Sequence, residues 1–325
     1  MSNKKALITG ITGQDGAYLS RLLLEKGYEV VGLTRGMSES STKNLKYLGI
    51  DDKLQLDVCD LTDLSNVLHV IQKFQPAEIY NLAAQSSVGK SFEQPIGTIS
   101  FNIVSVLNLL ESIKIVDKNI KFYQASTSEM YGKVENLPIN EESRIHPLSP
   151  YAVSKASAHW ITVNYRESYG IKAWCGILFN HESYLRSKNY FVKKVISNCI
   201  DIQNNKIKTL KVGNIDIKRD FGYSPDYVNA IWLMLQTNSP DDYVVCSGKS
   251  VSLRMIIEYV FNKFSIPMSK LEFDYNLYRP TDIQDIYGDN TKASEKLGWK
   301  YNKSYEELLD LLIEEELKII PDYVI

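Results

Sequence analysis

Tyr151 and Lys155 stand four residues apart in Ser149-Pro-Tyr-Ala-Val-Ser-Lys155, a spacing that on a helix sets both side chains on one face. An ammonium beside a phenol draws the phenol's pKa down, and the resulting phenolate can take the proton of an alcohol under oxidation. Upstream, Ser126-Thr-Ser-Glu129 places a hydroxyl at Thr127 two residues before a carboxylate. Plain alcohol oxidation needs only the hydroxyl, to hold the oxygen that changes oxidation state. Glu129 extends the chemistry. Beside a newly formed ketone the neighbouring C–H is acidic enough for a carboxylate to remove, and the acid so formed can help a hydroxyl leave as water. A structural glutamate capping a loop is the plainer alternative for Glu129.

Oxidation needs a hydride acceptor, and Gly10-Ile-Thr-Gly-Gln-Asp-Gly16 supplies a place for one. It follows the apolar run Ala6-Leu-Ile8 and precedes Ala17-Tyr-Leu19, the strand, tight turn and helix of a dinucleotide-binding unit. Gly10, Thr12, Gly13, Gln14 and Asp15 are thereby expected around a pyrophosphate at the helix N-terminus. The next strand ends Val30-Val-Gly-Leu-Thr-Arg35, with no carboxylate to select NAD. Arg35 can instead pair with a 2′-phosphate, which favours NADP over the alternative of a solvated surface arginine. Asp60 and Leu61 suit the adenine edge, and Leu82, Ala83, Ala84 and Ser86 are small or apolar where a loop must lie flat on the cofactor.

The elements that must carry these residues are legible as an alternation. Strands are expected at Lys5–Thr9, Glu29–Leu33, Leu54–Asp57, Glu78–Leu82, Lys121–Ala125 and Ala173–Phe179. Helices are expected at Ala17–Lys26, Leu61–Lys73, Val104–Ile115 and Tyr151–Tyr169. This predicts an α/β chain: a Rossmann-type, doubly wound parallel sheet over residues 1–179, the dinucleotide-binding domain. Residues 180–325 break the rhythm and read as a smaller mixed α/β lobe for a nucleotide sugar, with helices at Tyr227–Leu235, Leu253–Phe264 and Tyr305–Lys318. In that lobe Arg219, Arg279 and Lys193 are candidates for phosphates, and Asp282 for ribose hydroxyls or a guanine edge.

The 325 residues carry 37 Lys and Arg against 39 Asp and Glu, a balance that favours neither a nucleic-acid nor a membrane-surface partner. No apolar run is expected to span a membrane. The opening Met1-Ser-Asn-Lys-Lys5 leaves no room for a signal peptide. Cys59, Cys175, Cys199 and Cys246 are scattered, and the four histidines have no ligand spacing, so no metal is expected. A reduced, cytoplasmic protein is the expectation.

Taken together, these motifs resemble the extended short-chain dehydrogenase/reductases and, within them, the GDP-mannose 4,6-dehydratases. The likeness spans nearly the whole chain. It is carried by the glycine loop, Tyr123-Gln-Ala-Ser-Thr-Ser-Glu-Met-Tyr-Gly132, Ser149–Lys155, Trp160-Ile-Thr-Val-Asn-Tyr-Arg-Glu-Ser168, Gly176-Ile-Leu-Phe-Asn-His-Glu-Ser183 and Lys218-Arg-Asp220. The resemblance implies Thr127, Glu129 and Tyr151 as the catalytic set and Lys155, His181 and Arg186 as NADP contacts. It implies Asn180, Arg219 and Arg279 around a GDP-sugar, where Ser86, Lys193 and Asp282 are further candidates. A homodimer or homotetramer is implied too. The chain departs from the family after Ser183, where a proline and an arginine-glycine turn give way to Tyr184-Leu-Arg-Ser-Lys-Asn-Tyr190. In the family that loop reaches a neighbouring subunit's cofactor and borders the sugar. The departure therefore keeps a GDP-manno-heptose 4,6-dehydratase open as an alternative, with a nucleotide-sugar 4-reductase or epimerase behind it. Asp282 stands where the family has Glu, a shorter reach to the same partner.

Overall fold

A computed structural model describes residues 4–36 and 42–318. Met1, Ser2 and Asn3, on which the reading of the N-terminus partly stands, lie outside the described residues, as do 37–41 and 319–325.

Lys5–Thr9 (β1) leads into Gln14–Glu25 (α1), Glu29–Thr34 (β2), Lys43–Tyr47 (α2), Gln55–Val58 (β3), Leu64–Phe74 (α3) and Glu78–Asn81 (β4). Val88–Glu93 (α4), Pro95–Val116 (α5), Lys121–Thr127 (β5), Pro150–Tyr169 (α6) and Ala173–Leu178 (β6) follow. Ala6, Leu7 and Ile8 of β1 are wholly buried, as a parallel strand covered by helices on both faces must be. Leu19 and Leu23 of α1 cover one face; Val67 and Ile71 of α3 with Leu109 and Ile113 of α5 cover the other.

Beyond position 179 come Asn180–Glu182 (β7), Phe191–Gln203 (α7), Leu210–Val212 (β8), Lys218–Tyr223 (β9), Ser224–Gln236 (α8) and Asp242–Val245 (β10). Ser250–Ser252 (β11), Leu253–Lys263 (α9), Leu271–Phe273 (β12), Thr291–Leu297 (α10) and Tyr305–Leu317 (α11) complete the order. β10 pairs in parallel with β6, and the seven-stranded sheet runs β10-β6-β5-β4-β1-β2-β3. The main sheet thus takes its edge strand from the half of the chain that the sequence reading gave to the second lobe, and Ile231 and Met234 of α8 pack into the same core as α1. β7, β9 and β11 make a separate small sheet, and α7, α9 and α11 enclose a further core through Val195, Ile196, Ile257, Phe261, Leu308 and Leu309.

Strand order reverses direction at β1, which has β2 on one side and β4 on the other. Ligands in such sheets bind beyond the carboxyl ends of the strands at this switch point, where the loops after β1, β4 and β5 gather.

One expectation is corrected in its ground alone: an apolar stretch of membrane-spanning length does exist. α5 runs 22 residues from Pro95 and is long and apolar enough to cross a membrane by composition. Its polar residues are those of a packed core helix. Asn102 Nδ2 donates to Ser154 Oγ and the Gln85 carbonyl, and Asn108 Nδ2 donates to the Leu61 carbonyl.

Candidate active site

The loop after β1 is shaped by contacts that leave no room for side chains. Gly10 has φ +70°, and a Cβ there would lie 2.8 Å from the Ala83 nitrogen. A Cβ on Gly16 would fall 2.4 Å from the Gly10 carbonyl oxygen and 2.6 Å from Ile11 Cα. Gly13 differs: a Cβ would meet only the Gly10 oxygen, at 3.2 Å. Gly13 is the N-cap of α1, and no side chain caps the helix. A cradle of this form, open at a helix N-terminus, fits an anionic pyrophosphate. The Thr12 carbonyl accepts from Asn44 Nδ2 at 2.9 Å.

Gln14 and Asp15 turn their side chains inward. Gln14 donates to the His181 carbonyl at 3.0 Å and accepts from Ser183 Oγ at 2.7 Å. Asp15 meets His181 Nε2 at 2.9 Å and accepts from Ser224 Oγ at 2.7 Å. His181 Nδ1 reaches the Phe179 carbonyl at 2.7 Å, and the ring stacks on Tyr227 at 4.8 Å. Burial alone would raise Asp15, but the His181 charge and these hydrogen bonds outweigh it and hold the carboxyl at about 2. Burial would lower His181, and Asp15 overrides it upward. The tie binds α1 to β7 and α8 and engages both His181 ring nitrogens within the protein.

Around the cradle, Arg35 is exposed at the end of β2, its guanidinium 6.0 Å over the Phe101 ring. Asp60 is exposed and oriented by Thr62, whose Oγ1 and N–H donate at 2.6 and 2.9 Å and lower the carboxyl. Leu61 is buried, while Leu82, Ala83 and Ala84 are half-buried, with the Ala83 N–H on Thr9 Oγ1 at 3.2 Å. Ser86 is exposed, and its hydroxyl lies 2.7 Å from that of Tyr190.

Thr127 ends β5, and Glu129 follows in a single 3-10 turn, Ser128–Tyr131. Tyr151 and Lys155 sit on α6, which starts sharply because Ser149 caps it, accepting from the Ala152 N–H, and Pro150 occupies its first turn. Thr127 Oγ1 accepts from the Glu129 N–H at 3.3 Å, and Thr127 stands near enough to the Tyr151 phenol to act on its titration. Burial raises the phenol, with Glu129 adding to the effect and Thr127 and Arg186 opposing it. The lowering expected from Lys155 is not seen: Lys155 is not among the main influences on the phenol, and desolvation of the phenolate is the largest of them. Lys155 is 4% exposed, with no ion-pair partner among the described residues. Burial lowers its ammonium to about 8, opposed by the Cys175 thiol.

The other wall comes from beyond position 179. Arg219, 5% exposed, donates through Nη1 to the carbonyls of Lys218 and Ile283 at 2.8 and 2.7 Å. Its Nη2 donates to Asp282 at 2.5 Å, and its Nε stands 4.0 Å from Glu129. Arg279 is exposed, 3.4 Å from Asp282. Glu129, Ser149, Arg279 and Asp282, with Val88, Leu148, Thr281 and Ile283, line one small cleft. A larger groove among α7, α9 and α11, lined by Gln203, Phe264, Asp310 and Ile313, shares no residue with this set.

Thr127, Glu129, Tyr151, Arg219, Arg279 and Asp282 thus converge, and Asn180 opens β7 half-buried. Lys193 stands apart: its ammonium pairs with Glu316 and lies 3.8 Å over the Tyr184 ring. Arg186 lies 3.7 Å over the Tyr190 ring and 3.8 Å from Glu182. Tyr190 and Ser224 escape the sequence reading, since neither belongs to a spacing motif. One His–Cys–Asp group also assembles, His159, Cys175 and Asp242, with ligand atoms within 4.8 Å of one another. Asp242 is engaged there by Arg166 at 2.8 and 3.1 Å.

A family model described as GDP-mannose 4,6 dehydratase matches residues 7–312. The GDP-mannose 4,6-dehydratase of Vibrio cholerae is 39% identical, over 97% of this chain and 94% of its own. GDP-mannose 4,6 dehydratase 1 of Arabidopsis thaliana is 42% identical over 97% and 90%, and the human GDP-mannose 4,6 dehydratase 39% over 97% and 92%. A UDP-glucose 4-epimerase from Thermotoga maritima, solved with UDP-glucose, superposes with TM-score 0.86 at 24% identity, covering 97% and 99%. A dTDP-glucose 4,6-dehydratase from Streptomyces venezuelae, solved with NAD and TYD, gives 0.87 at 20%, covering 97% of each chain. At those identities the solved structures speak to the shared fold. The family match and the full-length relatives speak to more, and the chain belongs to the GDP-mannose 4,6 dehydratase family.

Proposed function

We propose that this protein is an NADP-dependent GDP-mannose 4,6-dehydratase that yields GDP-4-keto-6-deoxymannose. The observation that carries the reading is the meeting of Thr127, Glu129 and Tyr151, from β5, its following turn and α6, beside a buried Lys155. A bound nicotinamide supplies a hydride acceptor, later a hydride donor, and a positive ring beside the phenol. The Gly10–Gly16 loop holds the pyrophosphate, Arg35 the 2′-phosphate, Asp60 and Leu61 the adenine, and Lys155 the ribose beside the ring.

As the phenolate, the form that the positive ring would favour against burial, Tyr151 Oη takes the proton of the sugar's 4-hydroxyl, while Thr127 Oγ1 steadies that oxygen. Glu129 then removes the C5 proton, made acidic by the new C4 carbonyl, and passes a proton to the 6-hydroxyl, which leaves as water. On the nucleotide side, Arg279 is the exposed cation best placed for a diphosphate. Arg219 and Lys193 bind one only by exchanging Asp282 and Glu316 for phosphate oxygens. Asn180 and Asp282 hydrogen-bond the GDP moiety.

A homo-oligomer is part of the reading. Ile96 and Leu107 of α5 and Val153 and Trp160 of α6 are exposed on adjacent helices, and residues 95–110 contain no charged side chain. Such a face, too apolar for water, supports pairing with a second copy about a two-fold axis.

The test is incubation of the purified protein with GDP-mannose and no added NADPH, followed by mass spectrometry. A product lighter by one water is expected, whereas unchanged sugar nucleotide would end the reading. GDP-manno-heptose run alongside addresses the altered loop at 184–190: faster turnover of the heptose would move the assignment to that substrate.

A further inference from the structure

We propose that Tyr190, paired with Ser86, is a specificity-determining wall of the sugar pocket, an inference that rests on the GDP-sugar reading above. Ser86 lies in the loop after β4, and Tyr190 is the N-cap of α7, so the two hydroxyls arrive from elements 104 residues apart and meet at 2.7 Å. Both residues keep part of their surface in solvent.

Two further observations tie the pair to the reacting centre, and a third fixes the segment that carries it. Arg186 lies 3.7 Å over the Tyr190 ring. Both Arg186 and Tyr190 are near enough to Tyr151 for their charges to act on its phenol. The other end of the segment is pinned: the Tyr184 ring packs at 4.7 Å on Tyr47, with the Lys193 ammonium 3.8 Å above it. The segment 184–190 is therefore anchored at both ends to its own subunit and forms a strap beside Tyr151. Two hydroxyls that share one hydrogen bond retain a further donor and free lone pairs between them. A polyhydroxylated sugar can use these, whereas a nucleoside diphosphate lacking the sugar cannot. The strap fixes how much sugar fits, and the hydroxyl pair reads it.

The experiment compares affinities for GDP-mannose and for GDP by calorimetry in the wild type and in Tyr190→Phe, Ser86→Ala, Ser86→Thr and the Tyr190→Phe/Ser86→Ala double variant. Tyr190→Phe keeps the ring under Arg186 and removes only the hydroxyl. Each single loss of a hydroxyl is expected to weaken GDP-mannose about tenfold, the size of one hydrogen bond, with GDP changed less than about twofold. The double variant should be no weaker than the weaker single, because both break one shared contact, and Ser86→Thr should keep the discrimination. Equal loss for GDP and GDP-mannose, no loss for either, or additive single effects would overturn the proposal. The two readings separate cleanly. Failure of the wild type to expel water counts against the dehydratase, whereas the wall stands or falls on the binding ratios.

Discussion

At the scale of single residues, the site divides its work by environment. Glu129 is partly buried, faces Arg219 at 4.0 Å, and has its own N–H bonded to the hydroxyl that is to hold the sugar's 4-oxygen. Glu129→Gln keeps that shape and removes the base. Turnover is expected to fall by about 10²–10⁴, with loss of solvent-deuterium incorporation at C5 and little change in GDP-mannose affinity. Retained incorporation at C5 would take Glu129 out of the mechanism. Lys155 makes a prediction with two signs. Burial lowers it from 10.5 to about 8, so activity that needs the ammonium should fall as pH rises through about 8. Stability should move the other way: between about 8 and 10.5 the unfolded chain holds a proton that the folded chain has released, and unfolding becomes harder as pH rises. Urea titrations across that window should show the rise in the wild type and not in Lys155→Met. Parallel curves would show that Lys155 is not the titrating group.

At the scale of elements, the glycine loop sorts packing from binding. In Gly16→Ala the new methyl meets backbone at 2.4 and 2.6 Å, and backbone there cannot give way, so soluble folded protein should be lost. In Gly13→Ala the only contact is one carbonyl at 3.2 Å, and the methyl points where a pyrophosphate must approach. That variant should fold, with a melting temperature near the wild type's, yet bind NADP at least about tenfold more weakly by fluorescence titration. Tight NADP binding by Gly13→Ala would place the cofactor elsewhere. The same loop shows where sequence is informative. Glycine spacing predicted the turn because its cause is local, and α6, expected over Tyr151–Tyr169, ends where Gly170 takes a left-handed conformation. The direction of a side chain is not local. Gln14 and Asp15 lie within the motif but turn to His181, Ser183 and Ser224, partners that exist only once β7 and α8 have packed. α5 begins at Pro95 and contains the expected Val104–Ile115 stretch; Asn102, which interrupts the apolar pattern, finds its partners in Ser154 and Gln85. β10 was hidden in the same way: four residues after position 241 look like any short apolar run until β6 offers an edge.

At the scale of the whole molecule, the sheet's late edge strand and the residues from beyond position 179 around Glu129 bring the two halves of the chain together at the candidate site. Among the exposed apolar side chains, several gather on the α5–α6 face. Leu107 is 36% exposed and Trp160 55%, on helices that pack closely on each other, and an aromatic of that size is costly to leave in water. Residues 95–110 of α5, which carry no charge, can meet their own copy without a like-charge clash, as an isologous pair requires. A carboxylate placed in the middle of that face would be buried against its own symmetry mate, at a cost of several kcal/mol to the pair. Trp160→Glu alone, and Leu107→Glu with it, should therefore shift the protein to a monomer in light scattering. Neither position touches Thr127, Glu129, Tyr151 or the glycine loop through a described hydrogen bond, so the monomer should still bind NADP. A wild type that is monomeric at tens of micromolar, or a Trp160→Glu variant that keeps its oligomer, would show that this face serves something other than self-association.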